Sequence, residues 1–193
     1  MTKFYLEEPS IVRKQDALEY VNEHMLHNAK INGTGGLNRC LKGMSYEAWL
    51  DDVLNMRDSM YATSLGFVPG YTYFCIREED NKIVGMVNIR YDLTEDMLKF
   101  AGHIGYGIRP SERQKGYAKI QLYLALQKAY ELNLLDVMIS CEESNIASDK
   151  TIKALGGVFE RNEIKDDKVL NIYWIDTNES IEFNRQQYLQ YLR

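Results

Sequence analysis

Residues 109–122 read RPSERQKGYAKIQL. The chain has a net charge of -5, yet here Arg109, Arg113, Lys115 and Lys119 face only Glu112. An apolar stretch ends at Ile108 just upstream. Arg109 precedes a proline and is therefore held toward extended geometry, so the chain leaves that stretch sharply. Downstream, Ala118, Leu122, Ala125, Leu126, Ala129 and Leu132 fall at steps of three and four, the pattern of one helix face. The order is strand, cationic loop, glycine, helix. The first amides of a helix lack intrahelical partners and carry partial positive charge. With Gly116 and the small Ala118 in front of them, an anion such as a phosphate can approach the backbone closely.

Two familiar phosphate loops are excluded. GxxxxGK[ST] is absent. Gly105 and Gly107 form a GxG, but the third glycine of a dinucleotide fingerprint is missing and the pair lies within the strand.

Working outward, the period alternates between two and 3.6. FYLEE (4–8) reads as a strand closed by Pro9. Residues 12–28 read as a helix with Val12, Ala17, Val21 and Met25 along one stripe. NGTGG (32–36) reads as a flexible loop. Ser45 caps a helix that runs to about Asp58, with Trp49, Val53 and Met56 at helical spacing. Tyr71–Glu78 and IVGMVNIRY (83–91) form a hairpin about the turn EEDNK. In its second strand Ile83, Gly85, Val87, Ile89 and Tyr91 share one face. Ala101–Ile108 is the strand before the loop and DVMISC (136–141) the one after the helix. Asn145–Leu155 is a helix stopped by Gly156-Gly157, and Val169–Ile175 is a last strand before a polar end. The order β, α, α, β, β, β, α, β, α, β predicts a mixed α/β sheet with helices on its faces. Its strand–helix–strand from 101 to 141 is expected as a parallel, right-handed unit.

Composition bounds the function. A chain of 193 residues, 45% apolar and with three prolines, suits one well-cored domain. The acidic balance argues against a dedicated nucleic-acid binder. No apolar run is long enough to span a bilayer, and MTKFYLEEPS has no signal-peptide core, so no membrane partner and a cytoplasmic location are expected. Cys40, Cys75 and Cys141 are odd in number and far apart, which points to reduced thiols rather than a zinc site. Cys141 reads as a small core residue. His24 and His27 form an i, i+3 pair without a third ligand and read as solvated helix surface, so no metal is expected.

Arg113-Gln114-Lys115-Gly116-Tyr117-Ala118 fits [RQ]xxGx[GA]. With its flanking strand and helix it resembles the pyrophosphate loop of the GNAT superfamily of N-acetyltransferases. ISCEESNIASDKTIKALGGVF (139–159) is similar to that family's next strand and its Asn-x-x-Ser/Ala helix start. HIGY (103–106), IRPSERQKGYA (108–118) and NIAS (145–148), in that order, resemble a bacterial subgroup of the superfamily. The likeness covers residues 70–175 well. Residues 1–65 match in element order alone.

The resemblance implies one domain over residues 1–193, with an acetyl-CoA-binding core at 70–175 and a variable acceptor side at 1–65. It implies a mostly antiparallel mixed sheet whose fourth and fifth strands are parallel but splay apart, with helices on both faces. Backbone groups near Gly107 and Ile108 would hold the pantetheine arm, and residues 113–118 (Arg113, Gln114, Lys115, Gly116, Tyr117, Ala118) would hold the pyrophosphate. Asn145 would reach the pantetheine and Ser148 would lie by the thiol. A backbone N–H in 103–107 would meet the developing oxyanion. The reaction implied is direct attack of a neutral primary amine on the acetyl carbonyl. Many relatives carry a tyrosine acid seven residues after the asparagine, where this chain has Ile152. Ser148, Tyr117 or water are left as proton donors, or the thiolate leaves unprotonated. His103 is the favoured base, ahead of Glu142 and Glu143.

The partners expected are acetyl-CoA and an amine acceptor, a small molecule or a protein, with a homodimer left open. The acidic chain leans toward a cationic acceptor. Acceptor contacts are expected from residues 30–70 and the C-terminal part, including the tyrosines and methionines at 44–73. A non-catalytic acyl-CoA-binding module, or a nucleotide binder using the same anion site, are the rival readings.

Overall fold

The computed structural model describes residues 2–193. Two antiparallel sheets carry the fold. The first has the order β1 (Phe4–Glu7), β2 (Gly70–Arg77), β3 (Lys82–Arg90), β4 (Ile104–Ile108). The second has the order β5 (Asp136–Glu142), β7 (Lys168–Asp176), β6 (Val158–Lys165). Thus β4 and β5 are edge strands of separate sheets. An isolated bridge of antiparallel type, Gly102 to Ile139, joins them at one end. No parallel ladder joins them. Gly102 enables the junction, because its φ of +78° is left-handed and a Cβ there would strike the Met138 carbonyl.

Two apolar layers flank the first sheet. On one side α1 (Lys14–Leu26) and α2 (Tyr46–Asn55) bury Tyr20, Val21, Trp49 and Val53 against Phe74, Ile76, Ile83 and Met86. On the other, α5 (Tyr117–Glu131) packs Leu122, Tyr123, Leu126 and Ala129 with Tyr73, Cys75, Val84, Val87 and Ile89. α6 (Ile146–Ala154) and α7 (Thr177–Tyr188) adjoin α5. The hairpin departs from strict alternation. Cys75 pairs with Gly85 but Ile76 pairs with Ile83, so Val84 is an extra residue in β3. This bulge reverses the side-chain phase and sends Ile83 and Val87 to opposite layers.

Other elements also differ from the sequence pattern. Short helices α3 (Ser59–Ser64) and α4 (Glu95–Phe100) are capped by Asp58 and Thr94, and the strand expected over 101–108 begins only at Ile104. Strand β6 and helix α7 were not anticipated. On α1 the buried stripe is Ala17, Tyr20, Val21 and His24, whereas Val12 and Met25 are exposed. His24 is therefore core rather than solvated surface, and its Nδ1 lies 2.9 Å from the Tyr20 carbonyl oxygen. The 32–36 loop is packed, not free. A Cβ on Gly33 would come within 2.5 Å of the Gly105 carbonyl oxygen, and Thr34 and Leu37 are buried. Glycine stands against glycine there because two backbones touch.

Candidate active site

The site is the gap between β4 and β5. Beyond the junction the sheets diverge, and one edge of β4 has no strand partner. The Arg90 amide donates to the His103 carbonyl and the Arg109 amide to the Val84 carbonyl. Antiparallel alternation between these points turns the amides of Gly105 and Gly107 toward β3, and those of Ile104, Tyr106 and Ile108 toward the open edge. Gly107 therefore contributes a missing side chain rather than a free amide. The Ile108 carbonyl accepts from Arg113 Nε at 3.1 Å.

A groove of about 420 Å³ follows this edge to the start of α5. Gly107, Ile108, Arg113, Gln114, Gly116, Tyr117 and Ala118 line one side, and Asn145 and Ser148 face them from α6. Gly116 sits at φ +82° just before α5, and a Cβ there would find nothing within 4 Å. Gln114 is also left-handed, at φ +63°. Open space thus stands before the unpartnered first-turn amides of Tyr117 and Ala118.

The cationic cluster is smaller than it reads. Arg109 is buried, donating from Nε to the Ile83 carbonyl and pairing with Glu23 at 3.1 Å. Lys115 turns to Glu112 at 2.8 Å and lies outside the groove lining. Arg113 and Lys119 remain to face the groove. Tyr117 points its ring at Phe4, 4.8 Å between centroids, and its hydroxyl at Arg77. Its phenol is thus engaged by Arg77 beside Phe4.

Asn145 is an N-cap, its Oδ1 accepting from the Ser148 amide at 3.2 Å. Ser148 Oγ lies 2.9 Å from Tyr106 Oη, and burial pushes the Tyr106 phenol well above its usual range. Tyr106, within HIGY, had been assigned no role. Ile152 is fully buried and offers no acid. Cys141 sits beside this pair, with its thiol pushed by burial up to about 11.

His103 is not placed as a base. Its amide donates to the Met138 carbonyl at 2.8 Å, and its Nδ1 accepts from the Met138 amide at 2.9 Å. The neutral ring therefore carries its proton on Nε2, and its one lone pair is already occupied. Burial first, and then Arg90, hold its pKa below the usual value. His103 lines neither cleft and works as a clasp between the sheets.

A second cleft of about 450 Å³ meets the first at Lys30, Asn32, Tyr106, Asn145 and Ser148. Its walls come from the α1–α2 connection (Lys30, Asn32, Gly33), the end of β3 (Arg90), the ends of β4 and β5, and the β6–β7 turn (Lys165, Asp166, Lys168). None of the residues 44–73 takes part; Tyr46, Trp49 and Tyr73 are core. Glu142 lines this cleft and binds both Lys30 and Lys168, which hold its carboxyl below the usual range. Glu143 lines neither cleft. Among the described residues no group of three metal-ligating side chains gathers, and no helix is long and apolar enough to cross a membrane.

The model of the acetyltransferase (GNAT) domain matches residues 13–158. The chain belongs to the GNAT acetyltransferase family. The solved structures agree on the fold. An acetyltransferase of the GNAT family from Bacillus anthracis is 15% identical, with TM-score 0.59, covering 92% of this chain and 99% of that one. Spermidine/spermine N-acetyltransferase SpeG from Vibrio cholerae is 15% identical, with TM-score 0.60 and coverage of 95% and 98%. RimL, a ribosomal α-N-protein acetyltransferase solved with coenzyme A, is 17% identical, with TM-score 0.62 and coverage of 92% and 97%. The search of curated proteins returns no match.

Proposed function

We propose that this GNAT protein transfers an acetyl group from acetyl-CoA to a primary amine of a small molecule or protein, by direct attack, with residues 1–193 working as one catalytic domain. The observation that carries the reading is the continuous groove from the open edge of β4 to the left-handed Gly116 and the bare amides of α5. An extended arm ending in a diphosphate matches both ends of it.

In this reading the amides of Tyr117 and Ala118, with Arg113 and Lys119, hold the pyrophosphate, while Gln114 and Gly116 shape the loop. The edge of β4 near Ile108 and the Asn145 side chain hold the pantetheine. Acetyl-CoA supplies the activated acyl group and a thiolate leaving group. The Ile104 or Tyr106 amide, turned to the open edge, meets the carbonyl oxygen as it gains charge. Ser148, hydrogen-bonded to Tyr106, donates the proton that the thiolate takes. Glu142 is bound by two lysines and is a weak base, so the amine proton leaves to water in the open second cleft. That cleft receives the acceptor.

Calorimetry with acetyl-CoA tests the groove, and thiol release with an amine panel tests the chemistry. Binding heat is expected with both acetyl-CoA and free coenzyme A, and its absence ends the proposal. Binding with no thioester consumption by any amine favours the acyl-CoA-binding module instead.

A further inference from the structure

Four cations and two carboxylates line the second cleft, and their pairing is uneven. Lys30 and Lys168 both bind Glu142 Oε1, at 2.6 and 3.0 Å. Lys165 pairs with Asp96 at 3.5 Å and lies over the Phe100 ring. Arg90 alone has no carboxylate partner among the described residues. Its one side-chain hydrogen bond runs from Nη1 to the Gly102 carbonyl at 2.7 Å, leaving Nε and Nη2 without an acceptor.

The position of this guanidinium is specific. It leaves the end of β3 and lies against β4 at Gly105, where a Cβ would stand 3.3 Å from Nη2. Gly105 thus makes room for it at the cleft wall, next to the edge amides of Ile104 and Tyr106. Burial works against its charge, pulling its pKa down. A half-buried cation without a counter-ion is a costly arrangement unless a ligand completes it. A guanidinium also offers a planar fork of donors matched to carboxylate or phosphate oxygens.

We infer that the acceptor is an anionic amine, carrying a carboxylate or phosphate close to the reacting nitrogen, and that Arg90 grips that anion in the second cleft. This rests on the acetyltransferase reading and names its substrate class. It runs against the cationic acceptor suggested by the acidic net charge. That charge is spread over the whole surface, whereas this cleft is locally positive. A polyamine would bring its charges toward Arg90 and the neighbouring lysines.

The test uses the full chain saturated with coenzyme A or acetyl-CoA, two matched pairs of amines and one polyamine. L-alanine is compared with L-alaninamide, O-phosphoethanolamine with ethanolamine, and both pairs with spermidine. Calorimetry reads binding to the coenzyme A complex, and thiol release reads turnover. The anionic member of at least one pair should bind more tightly than its neutral partner, roughly ten- to a hundredfold, and whichever pair responds separates carboxylate from phosphate. Arg90→Met should bring that ratio close to one, mainly through KM, while heat with coenzyme A is retained. Arg90→Lys should recover part of the preference, which a purely structural role would not produce. The inference is overturned if no anionic member outbinds its partner, if spermidine binds best, or if Arg90→Met keeps the ratio. Should coenzyme A itself give no heat, the acetyltransferase reading fails instead, a distinct result.

Discussion

The Tyr106 hydroxyl lies 2.9 Å from the Ser148 hydroxyl, joining β4 to the first turn of α6 across the gap between the sheets. Beyond the Gly102–Ile139 bridge β4 and β5 share no main-chain pairing, so the bond spans the opening where the thiol end is proposed to lie. A serine donates a proton better when its own oxygen receives one from a neighbour. Ser148→Ala is therefore expected to lower kcat by roughly ten- to a hundredfold, and Tyr106→Phe by less. Stopped-time thiol release checks both. Because burial holds the Tyr106 phenol above its usual range, the wild-type rate should show no alkaline fall from this residue below pH ~10. A Ser148→Ala enzyme as fast as its parent would transfer the donor role to water.

Gly116 separates two effects that usually coincide. A Cβ there meets no atom within 4 Å, so crowding is absent, but φ +82° strains any L side chain. Gly116→Ala is expected to cost about 1–2 kcal/mol of stability and to weaken coenzyme A binding moderately. Gly116→Asp should carry similar strain yet abolish binding, because its carboxylate occupies the anion position. Calorimetry on the two variants, each shown folded by circular dichroism, makes the comparison. Equal affinity in Gly116→Asp and wild type would refute the placement of the diphosphate.

The groove from β4 to α5, where the cofactor is proposed to lie, was legible because its signals are local. Pro110, Gly116 and the apolar spacing of α5 lie within one short span, so strand, loop and helix could be read together. The second cleft, proposed to receive the acceptor, was not legible, because its walls come from residues 30–33, 90, 100–106, 140–148 and 165–170, which only the tertiary fold unites. Arg109 shows the same limit. In sequence it adjoins three other cations, but its partner Glu23 is 86 residues away. Helices α3 and α4 span six residues each, too few for a period to register. Strand β6 is mostly exposed and charged, and α7 is polar over most of its surface, so neither shows a clear apolar face. The bulge at Val84 was invisible because alternation across Ile83–Ile89 looks regular until pairing with β2 is known.

His103 should behave as a structural clasp. His103→Ala leaves the Met138 amide without its acceptor and is expected to cost about 1–3 kcal/mol, whereas His103→Asn can still present an oxygen and should cost less. Both should leave the shape of the pH–rate profile unchanged. In the wild type, burial holds His103 and His24 below the usual histidine value. Their contribution to stability is therefore complete above the unfolded value of ~6.5 and is lost as pH falls below it. Urea midpoints at pH 7.5 and 5.5 should show this loss in wild type and a smaller loss in His103→Asn. A base role would return if His103→Asn removed the acid limb of the rate.

Glu112 ties the loop to the sheet. Its side chain is nearly inaccessible and binds Arg77 at 2.8 Å, Lys82 at 2.9 Å and Lys115 at 2.8 Å. Burial alone would raise its pKa, but the bonds from Lys115, Arg77 and Lys82 outweigh it and bring the value down to about 2. Glu112→Gln keeps the shape and removes the charge, so Arg77 keeps its pair with Asp80 at 2.7 Å but loses its buried partner. A loss of about 1–3 kcal/mol is expected, read as a lower urea midpoint at pH 7. The sign of the pH effect follows from the depressed folded value. Glu112 stabilises fully above the unfolded carboxylate value of ~4.3 and loses that contribution as pH falls toward 2. The variant should therefore lose less stability between pH 5 and 3 than wild type. Coenzyme A should still bind the folded variant, with Lys115 released toward solvent, because Arg113, Lys119 and the α5 amides are untouched. If the variant matches wild type at both pH values, the three-cation hub contributes nothing, and the loop is held by Arg109 and Arg113 alone.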